Sequence, residues 1–148
     1  MKGIWCFILV IVIVSCKKEK EYTVEDIQII NGYWQISDVL YPDGSEKKYS
    51  LSGTIDYIKL DSLKGYRKKM YPQLDGTYLT SDDAQNFYIV KKASKGFFIN
   101  YHNELTSWQE SIIYLEPNKF YLESAEGIVY RYKRFEPINI YEDGKTSE

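Results

Sequence analysis

The sequence predicts an all-β protein: an antiparallel up-and-down β-barrel of eight or nine strands behind a short N-terminal helical turn. Three observations carry this. Beyond Ile30 no stretch keeps helical periodicity for three turns. Short alternating runs recur about every ten residues, split by hairpin-sized turns. Fifteen of the 148 residues are tyrosine and aromatics reach 16%, and a flat ring suits a pleated, half-buried surface. So many sequential strands must hide their edges, and closing into a barrel removes edges altogether.

The chain opens with Lys2 and an apolar run of eleven residues, Ile4 to Val14. A membrane-spanning helix needs about twenty. Eleven fits the apolar region of a secretory signal, about 7–15 residues. The run stops at Ile13-Val14-Ser15-Cys16, which resembles a bacterial lipobox. That resemblance implies cleavage before Cys16, with lipid on its sulfur and then on its new amino group. Residues 1–15 are then a lipoprotein signal peptide. Several acyl chains, palmitate among them, hold a small domain where one chain binds only marginally. A leftover cysteine in an ordinary signal, or a shortened uncleaved anchor, is the competing reading.

Lys17-Lys18-Glu19-Lys20-Glu21 has mixed charge and no apolar residue, so it cannot pack. Residues 16–22 therefore read as a lipidated cysteine and a solvated tether. In enterobacterial lipoproteins, aspartate after the cysteine marks inner-membrane retention. Lys17 stands at that place here. The Lys-Glu run loosely resembles the charged surface-export tags of Bacteroidota lipoproteins, although Lys20 interrupts its acids. These likenesses imply an outer-membrane location and leave the leaflet open.

Residues 23–136 form the predicted barrel. Thr23-Val24-Glu25-Asp26 reads as a capping box, opening one or two helical turns through Ile30 that Asn31-Gly32 stops. Candidate strands are Tyr33–Tyr41, Leu51–Leu60, Gly65–Met70, Gly76–Thr80, Asn86–Lys91, Phe97–His102, Glu110–Leu115, Phe120–Glu123 and Ile128–Phe135. Asp43-Gly44, Asp75-Gly76, Lys95-Gly96, Pro117-Asn118 and Glu126-Gly127 mark turns between them. Leu51–Leu60 changes phase between Tyr57 and Ile58, which predicts a bulge there. Residues 137–148 read as a polar, frayed C-terminal tail.

Gly32-Tyr33-Trp34 opens the first strand and turns Trp34 and Ile36 inward. Alternation along Ile128-Val129-Tyr130-Arg131-Tyr132-Lys133-Arg134 puts Tyr130, Tyr132 and Arg134 on one face. In a closed antiparallel barrel the first strand lies beside the last. Trp34 and Arg134 then meet at one end, a cation–π pair worth about 0.5–2 kcal/mol. A short helix, G-x-W and a closing-strand arginine resemble the lipocalins. Lys64-Gly65-Tyr66-Arg67, Trp108-Gln109-Glu110-Ser111-Ile112 and the last strand are more similar to small lipocalin-like lipoproteins of Bacteroidota. The resemblance covers about residues 27 to 135. It implies a barrel open at one end, with Trp34 and Arg134 as a structural pair plugging the other. This chain is shorter than a classical lipocalin and lacks the disulfide many carry, so less room is expected inside.

The residues argue against most chemistry. Nineteen basic against twenty-one acidic residues give a charge of −2, which offers no field for nucleic acid. Both cysteines, Cys6 and Cys16, fall in the first sixteen residues, so the body holds no thiol. His102 is the single histidine and, from its parity with Phe98 and Asn100, an outward or rim residue. Asp82-Asp83 lacks calcium-loop spacing and reads as a solvated turn. Lys64-Gly65-Tyr66-Arg67-Lys68-Lys69 reads as a charged edge strand. No enzyme activity, cofactor or metal is expected.

Trp108, Glu110, Ile112 and Tyr114 share one parity, and Asp38 shares that of Trp34. An inward carboxylate needs a partner, so Glu110 or Asp38 should meet a tyrosine hydroxyl or an arginine. That arrangement is either the polar floor of a pocket or a satisfied core pair. Two function classes follow. One is a binding module with Tyr57, Tyr101, Glu110, Tyr114 and Tyr130 lining a pocket for a small apolar or glycan-like molecule. The other is an interaction lipoprotein whose filled barrel docks on an envelope partner. A pocket of about 300 Å³ or more separates the two.

Overall fold

The computed structural model describes residues 21–50, 53–93 and 96–136. Cys16 and the tail 137–148 lie outside them. The capping box is formed: the Asp26 amide donates to the Thr23 hydroxyl at 3.2 Å, and the Thr23 amide donates to the Asp26 carboxylate at 2.8 Å. One α-helical turn, α1 (Val24–Ile27), runs into a 3-10 turn at Gln28–Ile30. Ile27 and Ile30 are fully buried, so this short segment is held by packing more than by its own propensity.

Nine strands follow: β1 (Gly32–Leu40), β2 (Glu46–Lys48), β3 (Ile55–Asp61), β4 (Lys64–Pro72), β5 (Tyr78–Lys92), β6 (Gly96–His102), β7 (Ser107–Glu116), β8 (Lys119–Ser124) and β9 (Val129–Arg134). Each of β3 to β9 pairs antiparallel with its sequence neighbour. β1 pairs with β9 from Trp34 opposite Arg134 to Leu40 opposite Val129. That seam closes β1 and β3–β9 into an eight-stranded barrel. β2 is an addition: it pairs with the second half of β1, while β3 pairs only with Gly32 to Trp34.

The α1 segment and the turns after β3, β5 and β7 gather at one end, here the closed end. Trp34 is fully buried there. Its indole N–H donates to the Ile30 carbonyl at 2.7 Å, its face carries the Arg134 guanidinium at 3.7 Å, and Phe120 meets it edge-on at 4.6 Å. Arg134 also donates to the carbonyls of Asn31 (2.6 Å), Ile29 (3.0 Å) and Pro117 (2.8 Å). It satisfies carbonyls that the short helical segment leaves open. Gly32 has φ +113°, and a Cβ there would come within 2.8 Å of Arg134 Nη1. Only glycine fits both demands.

Above this plug, Phe97, Ile99, Ile112, Leu115, Phe120 and Leu122 fill the interior, all at or below 5% exposure. Gly65 lets β4 pass close to the wall: a Cβ would strike the Lys59 carbonyl oxygen and the Phe87 ring.

Several sequence expectations are corrected. The candidates Gly76–Thr80, from Tyr78 onward, and Asn86–Lys91 belong to one fifteen-residue strand, β5, so Asp82-Asp83 lies within a strand and not in a turn. β2 has no counterpart among the candidate strands. No bulge separates Tyr57 from Ile58: β3 pairs with β4 without interruption from Ile55 to Asp61. The register shifts lie elsewhere, between Ile36 and Asp38, between Lys68 and Met70, and between Ile112 and Tyr114. The first and third, with one extra residue, turn the following side chains over, whereas the second, with two extra residues on β5, keeps their parity. Asp38 therefore faces out, where it pairs with Arg131 at 2.9 Å. β4 is not an edge strand, because β3 and β5 flank it.

Candidate functional site

The barrel interior holds a polar cluster built on β3, β4, β6, β7 and β9. Asp56, Ile58 and Leu60 alternate inward on β3, as Arg67 and Lys69 do on β4. Arg67 Nη2 donates to Asp56 Oδ2 at 2.7 Å and to the Tyr132 hydroxyl at 2.6 Å. Its Nη1 reaches the Tyr101 hydroxyl at 3.4 Å and lies 3.9 Å from Glu110 Oε2. Lys69 Nζ meets the other oxygen of Asp56 at 2.7 Å. Tyr101 stacks on Trp108 at 4.8 Å, and Phe120 stacks on Tyr132 at 4.7 Å. Aromatic faces thus hold the rings whose hydroxyls meet Arg67.

Burial and charge oppose each other across this cluster. Burial pushes the Asp56 carboxyl up, but Arg67 and Lys69 beside it reverse this and leave it below the usual range. Burial works against the Arg67 cation too, and Tyr132, Asp56 and Tyr101 outweigh that and keep it charged. Glu110 differs. Burial raises it, Arg67 offsets only part, and its carboxyl stays above the usual range. The Tyr132 hydroxyl is pushed up to about 12, chiefly by burial. Arg67 Nε and Glu110 Oε2 are buried without a hydrogen-bond partner among the described residues.

Above the cluster β4 and β5 bend. Lys68 lies opposite Ala84 and Met70 opposite Thr80. One residue of β4 therefore faces Ser81, Asp82 and Asp83 of β5. The excess on β5 kinks the ribbon away from the barrel axis. Beyond the kink, Tyr78 stacks on Tyr33 at 5.1 Å and meets Phe135 edge-on at 6.5 Å. A cleft of about 310 Å³ lies at the bend. Asp56, Arg67 and Gln85 form its wall on the barrel side, and Lys69, Tyr71, Ser81 and Asp83 form the rest.

The structure divides the sequence-predicted lining. Tyr101 and Glu110 point inward and lie beside Arg67, so the inward carboxylate that meets an arginine is Glu110 and not Asp38. Tyr130 packs against the core from β9. Tyr57 and Tyr114 do not line the interior. Tyr57 faces out beside Tyr33 at 4.8 Å, and Tyr114, turned over by the shift after Ile112, stacks on outward Tyr121 at 4.6 Å. None of the five lines the cleft. His102 ends β6 opposite Ser107 and is exposed.

Sequence reasoning missed Asp56 and Arg67. Asp56 had a signal in its alternation with Ile58 and Leu60. Arg67 was concealed by Lys64, Lys68 and Lys69, with which it read as a charged edge strand.

No protein-family model and no curated protein matches the chain. Among solved structures it is similar to a lipocalin-like protein from Bacteroides uniformis. The two share 15% identity over 72% of this chain and 99% of that one, with a TM-score of 0.47. An uncharacterized protein from Bacteroides eggerthii is 14% identical over 71% and 98%, with a TM-score of 0.46. Lobster apocrustacyanin A1 is 15% identical over 84% and 77%, with a TM-score of 0.42.

Proposed function

We propose that this protein is a lipoprotein of the outer membrane, anchored through Cys16, whose barrel binds one small hydroxyl-rich molecule in the cleft at the β4–β5 bend. The observation that carries the binding reading is the cleft's size and lining. At about 310 Å³ it stands at the lower end of small-molecule sites, room for roughly ten waters. Two carboxylates and two cations line it, so their formal charges cancel. Tyr71, Ser81 and Gln85 add hydroxyl and amide groups that both donate and accept. Such a lining favours a neutral glycan-like molecule over an apolar one, because an apolar guest would strip water from four charges without replacing it.

The short apolar leader, the lipobox-like Ile13-Val14-Ser15-Cys16 and the charged tether support the anchor. A specific observation favours interaction with an envelope protein as a second reading. Leu105, in the β6–β7 turn at the open end, is 95% exposed, and Leu74, in the β4–β5 turn, is 83% exposed. Single exposed leucines are common on surfaces, so this reading ranks second.

Native mass spectrometry of residues 22–148, purified from the native host without detergent, tests the binding reading. An extra mass that leaves on denaturation, and that Asp83→Ala and Tyr71→Ala weaken, is expected. An apo mass in every preparation, or an extra mass that both variants retain at full occupancy, would overturn it.

A further inference from the structure

We propose that the closed end of the barrel is the face that meets the lipid surface, and that the open end, where β2 lies beside the second half of β1, points away from it. This rests on the anchor at Cys16 proposed above. It follows from where the folded domain takes hold of the chain and from how little chain remains before the cysteine.

The hold begins at Glu21. Its carboxylate pairs with Lys91 at 3.3 Å, and the Tyr22 hydroxyl accepts from the Leu115 amide at 2.9 Å. Lys91 lies one residue before the end of β5, and Leu115 one residue before the end of β7. Both strand ends belong to the closed end. Two independent contacts thus tie the start of the domain to the rim around Trp34 and Arg134.

Five residue steps separate Cys16 from Glu21. Fully extended at about 3.3–3.6 Å per residue, they reach about 18 Å. The nine residues of β1, at about 3.3 Å each, measure about 30 Å along the strand. A tilt of 35–45° leaves about 23 Å along the barrel axis. The tether is shorter than the barrel is tall. It lets the domain lean on the membrane but not turn over. With acyl chains in the bilayer, the domain cannot stand on its open end.

The closed-end turns suit a hydrated headgroup layer. Asp61 faces Lys64 across the β3–β4 turn, and Glu116 faces Lys119 across the β7–β8 turn. Charged pairs at the tips rest against polar headgroups and resist entering hydrocarbon. The face therefore lies on the bilayer without inserting into it.

The test separates orientation from lipidation. The mature chain, residues 16–148, holds one cysteine. Its thiol can be coupled to a maleimide phospholipid in phosphatidylcholine vesicles, which fixes the attachment point whether or not cells acylate it. Acetylation of lysines, read by mass spectrometry on bound and free protein, then maps the covered face. Lys64 and Lys119 at the closed end should lose reactivity several-fold on binding. Lys47 and Lys48 on β2, beside the second half of β1 at the open end, should keep theirs. Protection of Lys47 and Lys48 with Lys64 and Lys119 unchanged, or equal protection of all four, would overturn the proposal. Failure of the anchor itself would register separately, as absent fatty-acid labelling of Cys16 in cells.

Discussion

Arg67→Met removes the cation on which Asp56, Tyr101 and Tyr132 converge. Methionine keeps most of the volume, so the cost is electrostatic and not a cavity. Asp56 is 3% exposed and loses a charged hydrogen bond of 2.7 Å. Stripping one partner from a buried ion pair costs about 3–5 kcal/mol. The Tyr132 hydroxyl loses its 2.6 Å donor, which adds about 1–3 kcal/mol if nothing replaces it. Lys69 offsets part of this, because it stays 2.7 Å from the other oxygen of Asp56. Its side chain is 55% exposed, so water weakens that rescue. The expected net loss is about 3–5 kcal/mol. Urea unfolding followed by tryptophan fluorescence reads it as a midpoint lowered by about 2 M. Arg67→Met combined with Asp56→Leu leaves no orphaned carboxylate and should recover about 2 kcal/mol of the loss. A single-variant loss below about 1 kcal/mol would refute the reasoning. So would a double variant whose loss equals the sum of the two singles, since contacting residues should couple.

Trp34→Ala, at a fully buried site, should cost about 3–5 kcal/mol in the same assay; a loss under about 1 would mean Trp34 does not hold the closed end. Glu110→Gln should change how stability depends on pH. Because its folded carboxyl lies above the ordinary value of 4.5, the native chain keeps a proton that the unfolded chain has already lost, so this contribution is present at low pH and fades as pH rises past that value. The variant should therefore gain on the wild type as pH rises past 4.5, and a difference flat with pH would contradict the burial of Glu110. Gly65→Ala should destabilise by about 1–3 kcal/mol through overpacking against the Lys59 carbonyl, measured as a lowered melting temperature, whereas unchanged melting would show that the wall yields there. Cys16→Ala should abolish fatty-acid labelling and leave unprocessed precursor in cells, while normal processing and membrane retention would count against the anchor.

How much of this was legible depended on where the alternation of side chains runs unbroken. The Trp34–Arg134 contact could be placed from sequence because β1 up to Ile36 and β9 from Val129 keep strict alternation. Tyr101 was placed inward for the same reason. Asp38 and Tyr114 were misplaced because each follows a residue that the pairing skips, and a skipped residue leaves no trace in composition. The cleft was illegible on two counts. It exists because β5 spends three residues where β4 spends one, a mismatch visible only when the strands are paired. It is also lined by Ser81, Asp83 and Gln85, polar residues that read as a solvent-facing loop. Arg67 was lost among lysines, since charge density alone does not say which member of a run points inward.

The β1–β9 seam joins residues a hundred positions apart, from Trp34 to Arg134. Until the last strand is available, β1 and β8 each present a row of unpaired amides and carbonyls, and the plug has no arginine to seat it. Closing so long a loop is slow, and barrels rich in distant pairings fold in milliseconds to seconds. A growing chain lacking β9 gains little from folding early. Such a molecule stays threadable until β9 arrives.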